Sequence, residues 1–267
     1  FFTAKAVKID IFDDLNGELI TQDSDIKIDG GLFPSFKIGG RYLLRSGEYK
    51  ISILNKGYTY VDKGKLIIDD NESQILAFEL ERLPGRIYWR TEENISEVIV
   101  LVDGSIHSNH NVINGYSEKF LSCAGPSEKI IEKCKELYPE TKIDIYSVKP
   151  GQREIEIRFD KYFPVKKTIF VKGKKEVQDY RLDLKPSWAD VSVISEPEGA
   201  SIFNGEKRLG ITPSNIELIE GKNYLSLKKQ GYKDFTIELD IIAQQAISLD
   251  SLKLSRLDVP LKIMTQP

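Results

Sequence analysis

The chain has 267 residues, 40% hydrophobic and 30% charged, the balance of an ordinary folded protein. Thirty-eight Lys and Arg stand against 41 Asp and Glu, a net charge of −3 with the signs interspersed, so no basic bias points to nucleic acid. No internal apolar run is long enough to cross a membrane, and no Gly-x-Ser-x-Gly elbow, P-loop or dinucleotide fingerprint is present.

The chain opens Phe1-Phe2-Thr3-Ala4-Lys5-Ala6. Two aromatics before any turn signal read as the exit of a hydrophobic anchor, which would place the chain just outside a cytoplasmic membrane. A first strand or a tag remnant is the rival reading. Gly47 then opens a strand-like run carrying Ile51 and Ile53, and Lys56-Gly57-Tyr58 reads as its hairpin turn. Paired carboxylates at Asp13-Asp14, Asp69-Asp70 and Glu92-Glu93 fall between strand-like runs, where acidic turn residues are expected without catalysis. Leu83-Pro84-Gly85 is too short a linker for free hinging.

Beyond it the pattern recurs. Gly151 opens Arg153-Glu154-Ile155-Glu156-Ile157-Arg158-Phe159-Asp160, whose period of two puts apolar groups on one sheet face. Lys161 and Tyr162 stand where Gly57 and Tyr58 stood; a left-handed conformation at Lys161 would carry a modest cost. A second short linker, Lys185-Pro186-Ser187, follows.

Between these runs lies extra chain. The stretch from Thr91 to Gly151 is more than twice as long as its counterpart in the next copy, Ser195 to Gly221. The surplus is expected after the Val98–Val102 strand and its Asp103-Gly104 turn, within about 104–149. Ser105 to Ser147 is the candidate partner surface, because insertions on rigid scaffolds often carry function. The stretch Ser127–Leu137 is the best helix of the chain: Ser127 caps it, Glu128 sits in its first turn, and Pro139 marks its end. Ile130, Ile131, Cys134 and Leu137 form one stripe, expected to pack on a sheet face, with docking of a partner as the alternative. Cys123 and Cys134 admit three readings: a disulfide in an oxidising compartment, two buried free thiols, or a zinc site with His107 and His110.

The third copy is the most complete. Pro197-Glu198-Gly199-Ala200 precedes a short strand into the Asn204-Gly205 turn, favoured because both residues accept positive φ. A second bend, Gly210-Ile211-Thr212-Pro213, marks a strand entry. Gly221 opens the run carrying Leu225 and Leu227, and Gly231-Tyr232 closes it. Pro197 and Pro267 end matching patterns, Val191–Pro197 and Leu261–Pro267, one repeat apart. Fixed periods signal arrays of small units.

These residues closely resemble the PEGA domain family. The likeness is literal at Pro197–Ala200 and continues in order through Asn204-Gly205, Gly210–Pro213, Glu220-Gly221 and Gly231-Tyr232-Lys233, covering about 189–257. The two earlier copies match in their second halves. The resemblance implies small β-sandwiches in tandem on bacterial envelope or surface proteins, interaction roles, and at times a neighbouring kinase or formylglycine-generating-enzyme-like domain. It carries no catalytic residues and no cofactor.

The expected fold class is therefore all-β, with tandem small sandwich modules at 1–84, 85–187 and 188–258 and the start of a further one at 259–267. The expected function is a non-enzymatic interaction and spacer array for an envelope protein partner, periplasmic or extracellular. The alternatives are a glycan or peptidoglycan binder, with Tyr88, Trp89, Trp188 and the repeated Tyr58, Tyr162 and Tyr232 stacking sugars, or the regulatory ectodomain of a larger enzyme-bearing protein. The structural reading of both tryptophans is packing at module junctions.

Overall fold

The computed structural model describes residues 4–30, 35–71 and 73–257. The expected anchor at Phe1-Phe2 and the expected fourth module at 259–267 lie outside these residues. The described chain divides into two compact units, one running to Ile157 and including Val165–Leu182, the other comprising Arg158–Pro164 and the residues from Asp183.

The first unit opens with β1 (Lys5–Asp13), β2 (Ser24–Asp29), β3 (Phe36–Ile38), β4 (Arg41–Leu44), β5 (Gly47–Asn55), β6 (Val61–Ile68) and β7 (Ser73–Leu80). They form two sheets, β3-β4-β1-β7 and β2-β5-β6. The alternation of β1 puts Val7, Ile9 and Ile11 on the core face, in one cluster with Ile51 and Ile53 of β5. The same unit continues with β8 (Gly85–Thr91), β9 (Val98–Val102), β10 (Ser105–Ile106), β11 (His110–Tyr116), α1 (Glu118–Cys123), α2 (Glu128–Leu137), β12 (Pro139–Val148), β13 (Gly151–Phe159), β14 (Val165–Val171) and β15 (Val177–Arg181). Their sheets are β11-β12-β8-β15 and β10-β9-β13-β14.

The second unit holds β16 (Trp188–Glu196), β17 (Ser201–Asn204), β18 (Lys207–Ile211), β19 (Ser214–Ile219), β20 (Gly221–Lys228), β21 (Phe235–Ile241) and β22 (Ile247–Lys253). They make the sheets β19-β16-β22 and β18-β17-β20-β21. The protein is thus all-β, built from several separate small sheets with one helical piece.

One pairing scheme appears three times. The first strand of each block lies between an antiparallel neighbour and a parallel last strand: β4-β1-β7, β12-β8-β15 and β19-β16-β22. The residue pairs aligned by the sequence, Ile51 and Ile53, Ile155 and Ile157, Leu225 and Leu227, are all at most 1% exposed. The three tyrosines also occupy one backbone position. Tyr58 bridges Arg82, Tyr162 bridges Pro186 and Tyr232 bridges Arg256, always at the same offset along the chain.

Three details differ from expectation. Lys161 is not among the described residues with positive φ, so its turn carries no left-handed cost, whereas Gly57 and Gly231 have φ of +89° and +81°. The Asn204-Gly205 hairpin forms, but Asn204 pairs with Lys207 as the last strand residue, and Gly205-Glu206 are the central pair. Trp89 is no junction residue: it is 1% exposed inside its own block, its ring 5.2 Å from Tyr180.

Truncation on the repeated core face should be costly, because the cavity left behind collapses only in part. Ile53→Ala is expected to lower unfolding free energy by about 2–5 kcal/mol, while Ile67→Ala, at a 56% exposed position of the same sheet, should change it by under ~0.5 kcal/mol. Equal effects in urea unfolding would contradict this assignment of faces.

Candidate interaction surface

The Pro197–Ala200 motif is a lock of the fold. Ser195 and Thr212 are buried, their hydroxyl oxygens 2.6 Å apart, and the Ser195 hydroxyl also donates to Pro197 O at 2.9 Å. The Ala200 amide donates to the Thr212 hydroxyl at 3.0 Å, and the Gly199 and Thr212 amides donate to Thr212 O and Ala200 O at 2.8 and 2.9 Å. Gly199 sits at φ +84°, which lets the turn close over the fully buried Ala200. The motif therefore clips the 197–200 turn to the 210–213 bend ahead of β19, where Pro213 needs no amide donor. Glu198 alone points its charge into solvent.

The second block repeats the device with residues that carry no sequence signature. Thr141, fully buried, accepts from the Ile95 amide at 3.1 Å and donates to Glu93 O at 2.7 Å. The amide and its threonine are 46 positions apart here and 12 in the third copy, and most of the difference lies between β10 and β12. A threonine at a similar distance ahead of each of these two tyrosines would have been the only clue. Thr141 stands one position further from Tyr162 than Thr212 does from Tyr232, because β12 carries a bulge between Ile145 and Val148.

This geometry corrects the insertion's limits. The extra chain is 107–138, holding β11, α1 and α2. The remainder of the expected 105–147 surface is β10 and β12, and β12 is a central strand whose Ile143, Ile145 and Val148 are at most 1% exposed. Comparing lengths counts surplus residues without locating them.

Within the insertion, α2 runs as expected after Ser127, whose carbonyl accepts the first helical bonds from the Ile130 and Ile131 amides, but the Ser127 side chain makes no capping bond. The apolar stripe does not lie on a sheet face. Cys134 is buried, but Ile130 is 46% and Leu137 55% exposed, and Leu121 on α1 is 78% exposed. A disulfide joins Cys123 to Cys134 and staples the two helices. It removes both thiolates from any ligand set, which rules out the zinc arrangement with His107 and His110. The histidines bond backbone instead: His107 Nε2 lies 2.8 Å from Tyr146 O, and His110 Nδ1 2.8 Å from His107 O. Tyr116 stacks on Phe120 at 4.7 Å and borders a cleft of about 540 Å³ with Asn94, Asn114, Glu132, Glu136 and Glu140.

Among its described residues the first block has neither clip. Asp13, 1% exposed, ends β1 where the Ser195 region ends β16. It accepts from the Tyr58 hydroxyl at 2.5 Å, Arg82 Nε at 2.7 Å and the Leu15 amide at 2.9 Å, with Lys174 Nζ at 3.8 Å. Burial pushes the carboxyl up, but the Tyr58 and Arg82 bonds outweigh it and hold it below the ordinary value; burial and the Asp13 charge push the Tyr58 hydroxyl up. The other paired acids also serve the fold or surface: Asp69 accepts from the Asn71 amide at 2.9 Å, and Glu92 faces Lys119 at 3.5 Å.

The architecture defines the class, a series of small β-sandwich blocks that share one backbone geometry, with one stapled helical hairpin. Residues 188–256 match the PEGA domain model, and this part of the chain is a PEGA domain. No curated protein matches in sequence. Among solved structures, the Bacillus anthracis TIE protein is similar at 12% identity and a TM-score of 0.37, covering 96% of this chain and 51% of that one. The chain thus spans about half the length of that protein. GBS52, the minor pilin of Streptococcus agalactiae, is similar at 8% identity and a TM-score of 0.29, covering 69% and 100%. Likeness at these scores bears on neither fold nor role.

Two outcomes test the locks. Thr212→Val removes the hydroxyl without changing the shape and should cost about 1–3 kcal/mol in the PEGA block, with Thr212→Ser restoring most of it; a neutral Thr212→Val in thermal unfolding would sink the clip. Asp13 has a lowered folded-state value, so its contribution is complete above about pH 4 and is lost as pH falls through the folded value. Asp13→Asn should therefore cost about 3–5 kcal/mol at pH 7 and weaken the acid sensitivity of the first unit between about pH 5 and pH 2, read from urea midpoints across pH.

Proposed function

We propose that the chain is a non-enzymatic, extracytoplasmic array of bacterial β-sandwich modules that spaces and presents a protein-contact surface, and that the contact is made by the stapled hairpin at 107–138. The observation that carries this reading is the exposure of Leu121, Ile130 and Leu137 on an element that alone breaks a repeated scaffold. Apolar side chains grouped this way on a disulfide-braced support suit burial against a partner protein. The disulfide supports an oxidising compartment, and the PEGA segment supports a surface or envelope setting. The sugar-stacking alternative loses Trp89 and Tyr58, which are 1% and 5% exposed.

The test joins Ile106 to Pro139 through a two-residue turn. A photo-crosslinker at position 130 of the intact protein identifies the partner in envelope fractions, and binding is then measured with that purified partner. The shortened protein should keep its unfolding transitions and bind at least about 100-fold more weakly. Undiminished affinity in a folded shortened protein would overturn the assignment.

A further inference from the structure

From the pairing of β11 we infer that its outer edge is a self-association site, where a second copy of this chain adds its own β11 antiparallel about a two-fold axis. The site is independent of Leu121, Ile130 and Leu137, the residues proposed above to meet a partner protein. β11 is the outermost strand of β11-β12-β8-β15 and pairs with β12 from His110 opposite Ile145 to Tyr116 opposite Pro139. In the same register the Tyr146 amide donates to Asn109 O at 3.0 Å and the Ser117 amide to Tyr138 O at 3.1 Å. Residues of an antiparallel strand bond a given neighbour alternately. Asn111, Ile113 and Gly115 therefore turn their N–H and C=O groups to β12, and Val112, Asn114 and Tyr116 turn theirs away. Among the described residues these outward groups make no hydrogen bond.

What sets this edge apart is its lack of charge. A row of free backbone groups is a template for pairing, and sheets ordinarily blunt it with charged side chains. Every other described outermost strand of more than two residues carries at least one Lys, Arg, Asp or Glu. On the corresponding side of the first and third blocks, β3 has Lys37 and β19 has Glu217. β11 reads His-Asn-Val-Ile-Asn-Gly-Tyr and has none. It is also free of proline, so each of its residues keeps an amide to donate.

The occupant is a second copy because an uncharged strand is complementary to itself. About a two-fold axis each residue meets its counterpart reciprocally, and here no like charges of the strand are brought together. Centred on Ile113, the pairing sets Val112 against Asn114 of the second copy, and the two exchange both backbone bonds. The Tyr116 amide meets the carbonyl of the other His110. Ile113 lies on the outer face beside Lys142 and is 44% exposed. It opposes the other Ile113 in a close, non-hydrogen-bonded pair, where two branched side chains bury each other. Gly115 leaves room for the opposing Asn111, since a Cβ built on it meets nothing within 4 Å. Two four-stranded sheets thereby join edge to edge.

The test is sedimentation velocity and amide hydrogen exchange on the full chain across concentration. So small an interface should give a monomer–dimer equilibrium with a dissociation constant of about 10–100 μM. Between about 5 and 500 μM protein, exchange at Val112, Asn114 and Tyr116 should slow at least about threefold, with Ile113 and Gly115, already bonded to β12, unchanged. Ile113→Lys places like charges across the axis and should weaken dimerisation at least about tenfold, while Ile113→Val stays within about threefold of the parent. The position is exposed, so both variants should keep the parent's unfolding transitions. A chain that stays monomeric to about 500 μM overturns the site, as does a dimer that leaves the three outward amides unslowed or ignores Ile113→Lys. Slowing of those amides in a monomeric chain, only when another protein is added, overturns the second copy as the occupant.

Discussion

The bridge from each tyrosine turn to the chain leaving its block governs the rest of the structure. It ties the tip of the β5, β13 or β20 hairpin to the segment that has just left β7, β15 or β22. With that end fixed, the last strand must run beside and parallel to the first, and the two small sheets close over one set of isoleucine, leucine and valine side chains. Each block has only seven or eight strands, mostly short, so its core is near the lower size limit for a stable domain. Backbone bonds that return the chain to a fixed place reduce the freedom the core must overcome. They also deliver the outgoing linker next to the hairpin tip, where the following block can use it.

A scaffold closed in this way tolerates additions between its strands. The chain gains a strand and a helical hairpin between β10 and β12, yet β12 keeps the antiparallel place beside β8 that β19 keeps beside β16. The added hairpin is small. Helices of 6 and 10 residues are too short to hold themselves in water, and a disulfide joins them where a packed core does not. Cys134 is buried, while Leu121, Ile130 and Leu137 are left exposed on this braced element.

The blocks also solve one shared problem with different residues. Where the first strand ends, the chain must turn back under a buried polar group. The PEGA block uses the Ser195 and Thr212 hydroxyls, the second block Thr141, and the first block Asp13 held by Arg82 and Tyr58. The ionic version demands more partners, because a buried carboxylate is costly unless its oxygens are all engaged. That demand explains why Tyr58 and Arg82 converge on it, whereas among the described residues Tyr232 and Arg256 share no such target.

The sequence by itself determined the class, the repeat and the core faces. Glycine-opened runs with apolar residues at every second position leave little freedom over which side is buried, so Ile155, Ile157, Leu225 and Leu227 were legible one by one. The PEGA segment was legible because its turns need particular residues: Gly199 for its backbone angle, Ala200 for a space with no room to spare. Only the tertiary structure decided the limits of the insertion, the burial of Trp89, the exposure of the α2 stripe and the convergence of Tyr58, Arg82 and Lys174 on Asp13. The physical reason is range. Period and turn chemistry act between residues a few positions apart, whereas a strand's neighbours, a helix's bare face and the distant partners of a buried carboxylate are set by how the sheets meet.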